Sequence, residues 1–158
     1  AAPAALLCWW ASGFLFQGAA GQNGAARPGT QAELTFAGRR ARLHLLRDTG
    51  NTLCEPVTGR PALIIDRYAA ARLMPAELAG IVSGLRADNA GDQMARLPEG
   101  WRTRFCLLPY RAVGQPGGLL LALRLDEVRV GSGKSDCRLA AISPERVAGG
   151  RYDGLIGV

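Results

Sequence analysis

The feature that most constrains this chain is a run of alternating residues that ends in a carboxylate on a tight loop. Gln31 to Ala37 and Arg39 to Leu46 alternate apolar and polar side chains about Gly38, the pattern of a hairpin with one buried face. The second arm runs into Asp48-Thr49-Gly50-Asn51. Glycine admits positive φ and the close approach of another backbone, and the threonine hydroxyl offers a local hydrogen bond. Such a sequence holds a negative charge at a strand end with little freedom around it. An ordinary Asx-type turn is built from the same residues, so the rest of the chain must decide between the two.

Downstream, the turn-rich segment 52–60 leads into an apolar strand at Pro61 to Ile65. Asp66 is placed to cap a helix over Arg67 to Met74, and Pro75 to open a second helical stretch to about Leu85. Residues 86–100 read as a mobile surface loop centred on Asp88-Asn89-Ala90-Gly91-Asp92. Strand patterns return at Trp101 to Leu108, Leu119 to Leu123, Asp126 to Val130 and Arg138 to Ser143. These signals predict a mainly β domain over 31–158, with one or two short helices.

The first charged residue is Arg27, and Ala4 to Ala20 is an apolar stretch of 17 residues, near the lower limit for a helix crossing a bilayer. With no basic residue ahead of it, a secretory signal is disfavoured. Residues 1–20 are therefore expected to be the end of a transmembrane segment and 21–30 a linker. An apolar surface helix or a buried strand pair is the alternative for the first of these. Lys+Arg 19 against Asp+Glu 13 gives +6, a modest field suited to an acidic partner or an anionic surface. No basic cluster interleaved with aromatics is present, which argues against nucleic acid as a partner. Cys8, Cys54, Cys106 and Cys137 are scattered and His44 is the sole histidine, so no metal is expected. The thiols are expected to be reduced and buried.

Two later stretches complete a recognisable set. Tyr152-Asp153-Gly154-Leu155-Ile156-Gly157 is similar to the aromatic-Asp-Gly-apolar-apolar-Gly strand that supports the catalytic loop of pepsin-like enzymes. Val113-Gly114-Gln115-Pro116-Gly117-Gly118 resembles the flap of a retroviral-type protease, a glycine-rich hairpin able to close on an extended substrate. Taken in this order, the three resemblances imply a single-lobe, retropepsin-like acid protease β-barrel. Asp48 is then the catalytic group. Thr49, Gly50, Asn51, Leu155, Ile156 and Gly157 support its loop, and 113–118 bind substrate. Such a site needs two carboxylates sharing one proton. No internal repeat supplies a second, so the resemblance implies a homodimer with one Asp48 from each copy, and no cofactor.

The strings Asp48-Thr49-Gly50-Asn51-Thr52-Leu53, Glu55 to Pro61 and Pro109-Tyr110-Arg111-Ala112-Val113-Gly114 resemble a narrower family, the sporulation sigma-E factor-processing peptidases of spore-forming bacteria. Leu125 stands before Asp126 where that family usually has proline. The resemblance implies cleavage of a sigma factor precursor to remove its N-terminal pro-segment. It also implies a signalling activator across the membrane, and a multi-pass cell-membrane protein with a cytoplasmic protease domain on the mother-cell side. Tyr110 and Arg111 are candidate substrate or regulator contacts, with a surface salt bridge as the plain reading of Arg111. A reading of another class is a catalytically silent module for dimerisation or peptide binding.

Overall fold

The computed structural model describes residues 29–48, 50–112 and 115–157. The apolar segment 4–20, Thr49, Val113 and Gly114 lie outside the described residues. The alternation at the start becomes β1 (Gly29–Phe36) and β2 (Arg39–Arg47), paired antiparallel from Phe36↔Arg39 to Gly29↔Leu46. Ala37 and Gly38, at φ 50° and 78°, make the two-residue turn whose twist suits a hairpin. Leu34, Phe36, Leu43 and Leu45 point into the core, while Arg40, Arg42 and His44 face outward.

Gly29 and Thr30, expected in the linker, already belong to β1. The glycine is a packing residue there, because a Cβ on Gly29 would lie 2.1 Å from His44 Nε2. The His44 ring crosses the strand at that point and packs on Tyr152, with centroids 4.9 Å apart.

β3 (Ala62–Asp66) and β8 (Leu139–Ser143) are buried along their whole length. Uninterrupted apolar runs of this kind belong to strands covered on both faces. Leu63, Ile65, Ala140 and Ile142 join a large core shared with the helices. Ile64, Leu139 and Ala141 join a smaller cluster on the other face with Leu108, Leu120, Val147 and Leu155.

After β3 come α1 (Arg67–Leu73), a 3-10 turn (Ala76–Leu78), α2 (Ala79–Ser83), α3 (Ala90–Ala95) and a second 3-10 stretch (Glu99–Arg104). Three short α-helices are therefore described, rather than one or two. The segment expected to be a mobile loop is an ordered helical layer. The Asn89 side chain accepts from Arg86 N (2.7 Å) and donates to Gly84 O (2.9 Å), which fixes the turn into α3. Ala90, Gln93 and Leu97 are buried, a helical spacing that the polar residues between them mask in the sequence. Trp101 lies in the 3-10 stretch, and its N–H donates to Pro98 O (2.9 Å). The strand predicted from Trp101 thus begins only at Phe105.

The remaining strands are β4 (Phe105–Ala112), β5 (Gln115–Arg124), β6 (Glu127–Val130), β7 (Gly133–Lys134) and β9 (Gly154–Ile156). The nine strands among the described residues form one mixed sheet in the order β4-β5-β8-β3-β9-β2-β1-β6-β7. Its edges are β4 and β7, so the architecture is mainly β with an open sheet. β9 is inserted between β2 and β3, parallel to the first and antiparallel to the second. That insertion positions the candidate site.

Candidate active site

Asp48 follows the last residue of β2 and is 1 % exposed. Its N–H donates to Ile156 O (2.8 Å), continuing the rungs Leu46↔Leu155 and Arg47↔Ile156. The side-chain Oδ1 accepts from Gly50 N (3.0 Å), and the main-chain carbonyl accepts from Asn51 N (3.3 Å). A buried carboxyl is thus held at the seam between β2 and β9, with a backbone N–H placed to favour its charged form. Among the expected supporting residues, Gly50, Asn51, Leu155, Ile156 and Gly157 all gather at this seam. Gly157 lies close enough that a Cβ there would stand 3.4 Å from Asn51 O.

The seam depends on Gly154. A Cβ at this position would lie 2.1 Å from Ile64 O and 3.0 Å from Ile65 Cα, so only glycine lets β9 slide between its neighbours. The preceding residue, Asp153, ties three elements together. Its carboxylate accepts from His44 N (2.8 Å) and pairs with Arg72 of α1 (2.8 Å), while its own N–H donates to His44 O (2.8 Å) and its carbonyl accepts from Asp66 N (2.9 Å). Asp153 was not singled out for this role by the sequence, although its place between an aromatic residue and a glycine was the available signal.

Asp66 is also buried, and its carboxyl caps α1 by accepting from Ala69 N (2.8 Å). Burial pushes its pKa up and the Asp153 charge adds to this, while the Ala69 N–H and Arg146 partly oppose them.

The segment between the Asp48 loop and β3 is held firmly. Glu55 N donates to Arg60 O (2.9 Å) and Gly59 N to Glu55 O (2.8 Å). The Glu55 carboxylate accepts from Thr58 (2.6 Å) and pairs with Arg124 of β5 (2.8 Å). The Thr58 hydroxyl, then Arg124, hold the Glu55 carboxyl below the usual range. Cys54 is exposed beside this turn, Cys106 is half-buried and only Cys137 of the described cysteines is buried, which corrects the expectation of buried thiols. A turn that faces solvent leaves Cys54 no core to enter. No group of three or more His, Cys, Asp and Glu side chains suited to a metal ion occurs among the described residues.

The candidate flap is the far end of the β4–β5 hairpin. Gln115, Pro116, Gly117 and Gly118 open β5, and three strands (β8, β3 and β9) separate β5 from β2 in the sheet. Tyr110 pairs with Gly118, and a bulge follows between Tyr110 and Ala112. A Cβ on Gly118 would lie 2.7 Å from the Tyr110 ring, and one on Gly117 2.5 Å from Tyr110 O. These two glycines make room for a cross-strand tyrosine packed on the smaller cluster, whose phenol burial pushes upward in pKa. Arg111 is exposed.

Comparison with known proteins places these features in context. Residues 3–152 match the family described as sporulation factor SpoIIGA, peptidase family U4. A sporulation sigma-E factor-processing peptidase of Priestia megaterium is 31% identical over 85 residues, covering 54% of this chain and 27% of the relative. A protein of Bacillus thuringiensis subsp. kurstaki, provisionally named a sporulation sigma factor-processing peptidase, is 30% identical over 103 residues, 63% of this chain and 56% of the relative. The chain thus spans about a quarter of the length of one of these relatives and just over half of the other.

Proposed function

The chain belongs to the SpoIIGA family of sporulation factors, peptidase family U4, and on that premise we propose that it is an aspartic endopeptidase that activates a sporulation sigma factor precursor by removing its N-terminal pro-segment. The observation that carries the aspartic reading is Asp48 itself. It is buried at the β2–β9 seam, with its carboxyl accepting from Gly50 N and its backbone anchored to Ile156 O. The names of the relatives support the substrate class.

In the proposed mechanism two copies meet so that their Asp48 carboxyls share one proton. One carboxylate takes a proton from the attacking water while the other, protonated, polarises the scissile carbonyl. Like charges about 3 Å apart do not both ionise, so the pair titrates as a unit. Thr49 braces the partner loop, Gly50 permits the close contact, and the hairpin from Val113 to Gly118 closes over an extended substrate, with Tyr110 and Arg111 beside it. In this reading the sheet curls into a retropepsin-like barrel. Residues 1–20 anchor the domain at the cell membrane with its protease part in the cytoplasm, and an activator acts from across that membrane. No helix among the described residues is long and apolar enough to cross a bilayer, and 4–20 lies outside them.

The deciding experiment is co-expression of the chain with a sigma factor precursor, beside Asp48→Ala. The wild type is expected to shorten the precursor and the variant to leave it intact; equal processing by both sinks the aspartic assignment. Sedimentation over a range of concentrations checks the shared site, since a cleaving monomer contradicts it.

A further inference from the structure

Asn51 does more at the site than follow the glycine. Its side-chain Nδ2 donates to Ala62 O (3.1 Å), and its Oδ1 accepts from Leu53 N (3.2 Å). The two ends of one amide therefore serve partners of opposite polarity, a carbonyl and an N–H. Its backbone N–H donates back to Asp48 O, while Ala62 N donates to Leu53 O (2.9 Å). Ala62 is the first residue of β3, β3 pairs with β9 at Ile64↔Leu155, and β9 holds Asp48 through Ile156 O. The bonds close a ring: Asp48 to β9, β9 to β3, β3 to the Asn51 amide, and Asn51 back to Asp48. Cutting the ring at Asn51 removes the link from the Asp48 turn to β3.

We propose that Asn51 is a positioning residue, whose amide clamps the Asp48 turn to β3 and so keeps Gly50 N on the Asp48 carboxyl. The inference rests on the reading of Asp48 as the catalytic carboxylate. Its chemistry follows from the donor–acceptor inventory. An aspartate at position 51 keeps an acceptor for Leu53 N and faces Ala62 O with no donor; a leucine of similar size offers neither. When the turn loosens, the Asp48 carboxyl loses the aligned N–H that favours its ionised form, and it then takes up a proton at higher pH.

The test compares the wild type, N51D, N51L, N51A and D48N on the precursor. Each is assayed for kcat and KM across pH, with a thermal melt of each protein. N51L is expected to lower kcat about tenfold or more with KM nearly unchanged, and to move the acid limb of the pH profile upward by about one unit, the scale of one hydrogen bond to a carboxylate. N51D is expected to show the same directions. A lowered melting temperature with an unmoved pH profile and kcat overturns the proposal and leaves Asn51 a purely structural residue. Full activity in D48N sinks the catalytic reading instead, an outcome distinct from any result at position 51. Because N51L can be too unstable to assay, the pH profile of N51A, which removes both ends of the amide and adds no charge, decides in that event.

Discussion

Gly154 stands where a methyl group has no room, and the atom it would strike is the backbone oxygen of Ile64. Backbone in a central strand cannot swing aside, so Gly154→Ala is expected to cost about 3 kcal/mol or more, read as a fall in the denaturant midpoint. Asp66 makes a prediction of the opposite sign. Its folded carboxyl holds its proton more tightly than the unfolded one, because it is buried and lies beside Asp153. Folding therefore loses stability as pH rises from the usual carboxylate range through the raised folded value. The D66N amide keeps an oxygen for Ala69 N–H and carries no charge. Relative to wild type, D66N is expected to gain stability progressively as pH rises through that window and then to hold a constant advantage, measured by melts at a series of pH values. A shrinking advantage with rising pH contradicts the assignment. At this scale the sequence was legible where a motif names its own partners: Asp48, Gly50 and the apolar pair Leu155-Ile156 meet as expected. It was silent on Asp153 and misleading on Gly29, because a junction carboxylate and a strand glycine under a histidine ring are defined by neighbours far away in the chain.

Among the elements, the β4–β5 hairpin is the one whose glycines take on a different meaning. The sequence reads Gly117 and Gly118 as freedom of movement, whereas in the sheet they are the floor on which Tyr110 lies. The two residues should therefore couple. Gly118→Ala is expected to destabilise the wild type by about 1–3 kcal/mol, and to cost clearly less in a Tyr110→Ala background. A double-mutant cycle by chemical denaturation measures the difference, and additive effects contradict the packing role. The helices show the converse error. α1 was readable because Asp66 caps it and its apolar residues are regularly spaced. α3 was not, because its buried Gln93 and the turn built by Asn89 look like solvent-facing residues when only composition is considered.

For the molecule as a whole, the order of most strands lay beyond sequence reasoning, since partners such as β1 and β6, or β3 and β8, are far apart in the chain and carry no motif that names one another. If the working unit is two chains sharing one site, D48N added in excess to wild type should capture wild-type chains in dead pairs. Cleavage per wild-type chain is then expected to fall as the fraction of D48N rises, followed in a precursor assay after allowing the chains to exchange. Activity independent of that fraction means each chain works alone. The insertion of β9 between β2 and β3 also bears on how the chain is made. His44 and Asp153, bonded across that junction, are 109 residues apart, and such distant pairings form late and slowly. During synthesis β2 and β3 wait, without the strand that will join them, until Gly154–Ile156 has left the ribosome. A ribosome-bound chain that has not yet exposed this strand therefore lacks the Ile156 carbonyl that holds the Asp48 backbone, and the β2–β9 seam closes only once Gly154–Ile156 is free to pair.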